Sequence, residues 1–170
     1  MDHLVLTIIA ADKPGLVERI AQTIAAQGGN WLDSRMAHMA GQFAGILRVS
    51  VPADNRQALV GALEDLSTHG IRVLVGEGST AQAPASKPIV MTLVGNDRAG
   101  IVREITALLS RQGVNLESLS TGVTPAPMSG DLLFNAEALL QVPSSLPLET
   151  LQASLETLAD DLMVELHHEE

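Results

Sequence analysis

The hexapeptide Asp12-Lys13-Pro14-Gly15-Leu16-Val17 returns 85 residues later as Asp97-Arg98-Ala99-Gly100-Ile101-Val102. Both hexapeptides have the same order of an acid, a base, a small residue, a glycine and two aliphatic residues. At the same shift, residues 6–31 align with residues 91–116, and eight of the aligned positions are identical. The chain therefore contains an internal duplication, and each copy predicts one structural unit.

The register of the duplication changes once. FAGILRVSVP at residues 43–52 aligns with FNAEALLQVP at residues 134–143, now at a shift of 91, so the second copy has a six-residue insertion. The stretch PAPMSG at residues 125–130 is rich in turn-forming residues and is where we expect that insertion.

The stretch between the copies predicts the domain boundaries. Residues 77–88, EGSTAQAPASKP, are small and polar with two prolines, a composition typical of an exposed linker. We therefore predict a first domain at 1–76, a linker at 77–88 and a second domain at 89–170.

Each copy predicts the element order β-α-β-β-α-β. Alternating apolar residues indicate strands, and apolar residues three and four apart indicate helices. The predicted strands are 3–10, 32–40, 43–51 and 71–75, then 89–94, 117–124, 132–142 and 162–167; the predicted helices are 16–27, one beginning at Asp54, 101–111 and 148–160. The fold class is therefore α+β, with two ferredoxin-like units in tandem. Right-handed crossovers place both helices of a unit on one face of a four-stranded antiparallel sheet.

Two local predictions concern turns and caps. Gly41-Gln42 is the expected connection of the first hairpin. Asp54, followed three residues later by Gln57, predicts a capping box at the start of the second helix.

The composition argues against direct nucleic-acid binding. The formal net charge of the 170 residues is −10, and the aromatic residues are one tryptophan and two phenylalanines. Binding to phosphates needs clustered lysine and arginine, and single-strand binders present aromatic stacking platforms. Cysteine is absent, the N-terminal sequence does not resemble a signal peptide, and no apolar run reaches membrane-span length. The expected location is the cytoplasm.

Each copy offers an acid, a glycine and an asparagine that could contact a small ligand. Aspartate at a strand-to-helix turn either caps the helix or accepts a hydrogen bond from a ligand ammonium group. The glycine allows close packing or an unusual backbone angle, and its turn can also expose amides for a carboxylate. The asparagine follows the helix end and is either a turn residue or a ligand contact. These candidate residues are Asp12, Gly15, Asn30, Asp97, Gly100 and Asn115.

The pattern D-x-x-G with an asparagine after the first helix resembles paired ACT domains. The stretch Asp12 to Val17, followed by Asn30-Trp31-Leu32-Asp33-Ser34-Arg35-Met36-Ala37, is similar to the first domain of the glycine cleavage system transcriptional repressor family. That resemblance implies an amino-acid sensor whose ligand, glycine, lies where the first turn of one unit meets a neighbouring unit. It also implies no direct DNA contact and a LysR-type transcription activator as the protein partner.

The sequence leaves open other interpretations of the ligand, the function and the oligomeric state. The two copies differ at Pro14 and Ala99 and at Leu32 and Glu117, so their sites need not bind the same ligand. An amino-acid-binding regulatory subunit of a metabolic enzyme is the alternative function. Exposed sheet edges would let two chains join, so a homo-oligomer is a further expectation.

Nothing in the sequence predicts catalysis, a metal site or a cofactor. The five histidines lack metal-site spacing, and no nucleophile elbow, P-loop or dinucleotide-binding glycine pattern occurs. Residues 167–170, HHEE, are expected to be a solvated tail. Arg35 alternates with Ser34 and Met36 on a predicted strand, and solvent, a ligand carboxylate or a partner could face it.

Overall fold

The computed structural model describes residues 1–78 and 85–169. It divides the chain into two compact units, Met1–Ala81 and Gln82–Glu170. Residues 79–84 of the predicted linker lie outside the described residues. The strands on either side extend further than the sequence predicts, since one ends at Glu77 and the next begins at Ser86.

The first unit has the predicted element order. Its elements are β1 (Asp2–Ala11), α1 (Leu16–Ala26), β2 (Asn30–Met39), β3 (Gln42–Val51), α2 (Arg56–Glu64) and β4 (Ile71–Glu77), with short 3₁₀ turns before and after α2. The sheet has the order β2-β3-β1-β4, and all neighbouring strands are antiparallel. This is the ferredoxin-like arrangement.

The second unit repeats this architecture. Its elements are β5 (Ser86–Asn96), α3 (Ile101–Arg111), β6 (Asn115–Pro125), β7 (Leu132–Pro143), α4 (Leu148–Glu156) and β8 (Met163–His168). The sheet order is β6-β7-β5-β8, again antiparallel throughout. The α+β class and the tandem ferredoxin-like fold are thus confirmed.

Each unit has its own core between one sheet face and two helices. Alternate residues of the central strand point to the helices, and one apolar stripe of each helix packs on them. In the first unit this core includes Leu4, Leu6, Ile8, Ile20, Ile24, Leu47, Val49, Leu59, Leu63 and Ile71. In the second it includes Ile89, Met91, Leu93, Ile101, Ile105, Leu109, Phe134, Leu140, Leu151 and Leu155.

The first hairpin turns one residue earlier than predicted. Ala40 has a φ of 50° and Gly41 a φ of 81°, so these two residues connect β2 and β3. A two-residue turn with positive φ at both positions matches the twist of the flanking strands, and glycine accepts that angle without strain. Gln42 is therefore the first residue of β3 and not part of the turn.

Three further local predictions are wrong. Asp54 lies in a 3₁₀ turn, and no side chain caps α2, whose preceding residue is Asn55. Helix α4 ends at Glu156 and not at Asp160. Leu158 has the apolar spacing of a further helical turn, but it packs on the core from a turn that follows the helix. His167 and His168 are exposed, but they are the last residues of β8, paired with β5, and not part of a tail.

Candidate ligand-binding turns

In each unit the DxxG turn connects the central strand to the first helix. The backbone N–H of Asp12 donates to the carbonyl of Gly41 at 3.0 Å, and that of Asp97 donates to the carbonyl of Leu132 at 2.9 Å. Both turns are therefore tied to equivalent positions of the neighbouring hairpin. The helix begins at the residue after the glycine in both units.

Glycine, and not aspartate, occupies the N-cap position of both helices. Gly15 has a φ of 89° and Gly100 a φ of 85°, and neither helix receives a hydrogen bond from a capping side chain. A Cβ atom added at either glycine would meet nothing within 4 Å, so the backbone angle and not close packing requires glycine. Of the two roles expected for the aspartates, capping is therefore wrong, because the glycine three residues beyond each aspartate is the cap and the helix starts one residue later.

The carboxylate of Asp12 contacts the tip of the first hairpin. Its Oδ2 atom lies 3.4 Å from Nε2 of His38, with the two side chains 40% and 56% exposed. Nζ of Lys13 donates to the backbone carbonyl of His69 at 3.3 Å. An open depression of about 310 Å³ is lined by Lys13 and by the first two turns of α1, as far as Gln22.

The second turn has different partners. Arg98 donates to the carboxylate of Glu104 and, at 3.4 Å, to the carbonyl of Leu158. The hydrogen bond to Arg98 lowers the pKa of Glu104 and raises that of the guanidinium. Oδ2 of Asp161 accepts from the N–H of Asn96 at 2.6 Å. The carboxylate of Asp97 has no hydrogen bond or ion pair with another described residue and is exposed.

The register separates the asparagines from the aspartates within each unit. Asn30 pairs with Ser50, which pairs with His3, whereas Asp12 follows Ala11 at the other end of β1. Eight residue steps of strand separate His3 from Ala11, roughly 27 Å at about 3.4 Å per residue. In the second unit Asn115 likewise lies at the level of Pro88 and not of Asp97. The six candidate residues thus form separate groups at opposite ends of each sheet.

Sequence reasoning missed His38, Asp161 and the anchoring role of Lys13 and Arg98. Lys13 and Arg98 occupy equivalent positions in the duplication, and both donate to a backbone carbonyl just beyond the second helix of their unit. The sequence could have indicated this role, because the duplication keeps a basic residue at both positions. His38 and Asp161 reach the turns only through strand pairing and chain reversal, so no local pattern reveals them.

The described residues contain neither a metal-binding cluster nor a membrane-spanning helix. No group of three or more histidine, cysteine, aspartate or glutamate side chains within residues 1–78 and 85–169 could hold a metal ion. Over the same residues, no helix has the length and apolar composition that a membrane crossing needs.

Comparison with known proteins defines the class. Residues 2–75 match the family model of the ACT domain. A crystal structure of a protein of unknown function from Galdieria sulphuraria has a TM-score of 0.87 and 26% identity, with 99% of each chain covered. The first unit therefore matches the ACT-domain family, and the second unit repeats its fold.

The names of the curated relatives are more specific than the domain family. The chain is 24% identical to the glycine cleavage system transcriptional repressors of Escherichia coli K12 and Shigella flexneri, over 94% of this chain and 85% of theirs. The solved structure of a candidate glycine cleavage system transcriptional repressor has the same fold, with a TM-score of 0.71, 20% identity and coverage of 99% and 98%. The resemblance predicted from the two motifs is thus confirmed, and these named relatives are regulators.

Proposed function

We propose that this protein is a non-enzymatic, cytoplasmic transcriptional regulator that senses glycine and represses glycine cleavage genes through a LysR-type activator. The named relatives support regulation of these genes. The net charge of −10 supports a protein partner over direct contact with DNA phosphates.

The observation that carries the sensing role is the glycine N-cap. Because Gly15 and Gly100 occupy the cap position, the carboxylates of Asp12 and Asp97 are not hydrogen-bonded to helix amides. The carboxylate of Asp97 is available to accept hydrogen bonds from an ammonium group, and that of Asp12 is available in competition with His38. The exposed amides at the start of a helix, with their partial positive charge, favour a carboxylate. Each turn therefore offers partners for both ends of an amino acid.

The size of glycine limits the affinity. Five heavy atoms at a ceiling of about −1.5 kcal/mol each give at most about −7.5 kcal/mol, which corresponds to a Kd of a few micromolar at best. A sensor of metabolite concentration can operate in or above that range. Ligand binding acts on the partner only if the ligand favours one conformation or assembly over another.

Asn30 and Asn115 cannot contact the same glycine as the aspartate of their own unit, because strand register places them at the opposite end of the sheet. We therefore propose that they complete a site only when they are presented to the turn of a different ACT unit. Asp12, Gly15, Asp97 and Gly100 form the part of the site that a single unit supplies.

Thermal unfolding with each of the twenty amino acids tests the ligand. A ligand that binds only the folded protein raises its stability by RT ln(1 + [L]/Kd). We expect millimolar glycine to raise the Tm, and Asp97→Asn and Asp12→Asn to reduce that shift. Because neither aspartate caps a helix, both variants should keep the Tm of the unliganded protein. An unchanged Tm at millimolar glycine would contradict the choice of ligand.

Co-purification tests the partner. We expect the tagged protein to retain the LysR-type activator of the glycine cleavage genes, and added glycine to change the amount retained. Recovery of a metabolic enzyme in place of the activator would instead support the role of an enzyme regulatory subunit. The two experiments are independent, because a protein can bind glycine and still have a different partner.

A further inference from the structure

A shallow depression of about 150 Å³ lies on the sheet face of the first unit that turns away from α1 and α2. Its lining includes Val5, Asp33, Arg35, Ile46 and Arg48, from three different strands. Val5 lies six residues before the end of β1, so this depression is separate from the DxxG turn.

Strand register gathers the charged side chains around an apolar floor. A β-bulge between Trp31 and Asp33 shifts the pairing of β2 with β3, after which Asp33 lies opposite Arg48 and Arg35 opposite Ile46. Bulges of this kind redirect the side chains that follow them. Nε of Arg48 donates to Oδ1 of Asp33 at 2.7 Å.

The charges in this depression do not balance. Arg48 is paired with Asp33, whereas Arg35 is exposed and forms no ion pair with another described residue. Two guanidinium groups and one carboxylate leave a local charge of +1 in a chain whose net charge is −10. A ligand with one negative charge would neutralise that excess.

The second unit shows that the fold does not need these charges. It has the same bulge, between Leu116 and Ser118, at the equivalent place in its sheet. There Ser118 lies opposite Leu139 and Ser120 opposite Glu137, so neither arginine has a counterpart. The duplicated sheet thus retains the bulge and its register without the charged set.

We propose that the depression binds a small aliphatic carboxylate. The planar guanidinium of Arg35 would hold the carboxylate through two parallel hydrogen bonds, and the short hydrocarbon chain would lie on Val5 and Ile46. The Asp33–Arg48 pair closes one side and limits the number of anions to one. This site is independent of the proposed glycine site, and either can exist without the other.

Backbone amide NMR of the full chain with sodium propionate tests the site. Sodium chloride at equal ionic strength and ethylammonium chloride serve as controls for general anion binding and for the hydrocarbon. We expect propionate to cause saturable shifts at residues 33–35 and 46–48, and both controls to leave these amides unchanged. Equal shifts with chloride, or propionate shifts confined to other residues, would overturn the proposal.

Two charge variants should change the affinity for propionate in opposite directions. Arg35→Gln should weaken propionate binding about fivefold, the effect of losing one exposed ion pair. Asp33→Asn should tighten it about twofold, because Arg48 then lacks its carboxylate partner. Arg72→Gln is the matched control, since Arg72 lies on the same sheet face but does not line the depression. A retained Tm shows that each variant folds, and Arg35→Lys should bind with intermediate affinity. Equal affinity in Arg35→Gln and the natural chain, or weaker binding in Asp33→Asn, would overturn the assignment.

Discussion

The Nε2 atom of His38 lies 3.4 Å from the Oδ2 atom of Asp12, so the tip of the first hairpin contacts the DxxG turn of its own unit. The second unit has no such contact within its described residues, because Val123, opposite Phe134, occupies the position that His38 has opposite Phe43. Asp97 is consequently exposed without an ion-pair partner there. Duplication has preserved the backbone of the turn but not the surroundings of its carboxylate.

Replacing His38 should strengthen ligand binding at the first turn. In His38→Ala the carboxylate of Asp12 loses a competing partner, so we expect glycine to bind about two- to fivefold more tightly, the range of an exposed ion pair. Calorimetry in an Asp97→Asn background isolates the first turn. His3→Ala, an exposed histidine at the far end of the same sheet, is the control and should have no effect. Unchanged affinity in His38→Ala would show that Asp12 does not contact the ligand.

Alanine substitutions should have opposite effects at two exposed glycines. Gly15→Ala forces a non-glycine residue to a φ of 89°, so we expect a loss of about 1 kcal/mol, or a Tm lower by about 4–8 °C in a unit of this size. Gly61 lies inside α2 without a positive φ or a nearby atom that an added Cβ would meet. Gly61→Ala should therefore raise stability by about 0.5–1 kcal/mol. Calorimetric melting measures both, and a Gly15→Ala variant as stable as the natural chain would refute the backbone argument.

The Arg98–Glu104 pair should be visible in an acid titration. Its hydrogen bond lowers the pKa of Glu104 from the ordinary value of 4.5, so the folded carboxyl titrates at lower pH than the unfolded one. The stability that this pair contributes is present above pH 4.5 and is lost as pH falls through the folded pKa. We expect carbon-detected NMR to show the lowered midpoint and Arg98→Gln to bring it back towards 4.5.

Arg103 provides the control for this titration, because it lowers the pKa of Glu104 less than Arg98 does. In Arg103→Gln most of the shift should remain. A midpoint that moves as far in Arg103→Gln as in Arg98→Gln would mean that long-range charge, and not the hydrogen bond, determines the pKa.

Two leucines of the first unit should differ sharply on truncation. Leu59 is fully buried between α2 and the sheet, so Leu59→Ala should cost about 2–5 kcal/mol. Leu74 is 73% exposed on the opposite sheet face, and Leu74→Ala should change the free energy of unfolding by less than about 0.5 kcal/mol. Urea unfolding compares the two. A large loss in Leu74→Ala would show that something covers that face in solution.

Local patterns predicted the elements well where apolar periodicity was strong. Helix α3 begins and ends at the residues expected from its spacing, and both hairpins lie where alternation and turn residues place them. The prediction failed at Asp54, which lies in a 3₁₀ turn and not at an α-helix cap. It also failed at the end of α4, where Leu158 keeps the apolar spacing of a helix but packs on the core from a turn. Capping depends on the angle at which the chain enters the helix, and residue identity alone does not determine that angle.

The candidate site was harder to predict than the fold. From the sequence, Asp12 and Asp97 were either helix caps or ligand contacts, and the φ values of Gly15 and Gly100 move the cap position to glycine. Asn30 and Asp12 looked like one site because both flank the same helix. A helix of 11 residues and a return strand parallel to the first place them at opposite ends of the sheet.

By itself, the sequence determined the duplication, the βαββαβ order and the tandem α+β fold, because all three depend on residue types at regular spacings. The resemblance to the glycine cleavage repressor family rested on two short motifs. Only the tertiary structure decided that glycine caps both helices, that His38 contacts Asp12, and that a bulge places Arg35 and Arg48 beside an apolar floor. The reason is physical: periodicity records which face of an element is buried, whereas a site depends on strand register and backbone angles that bring distant residues together.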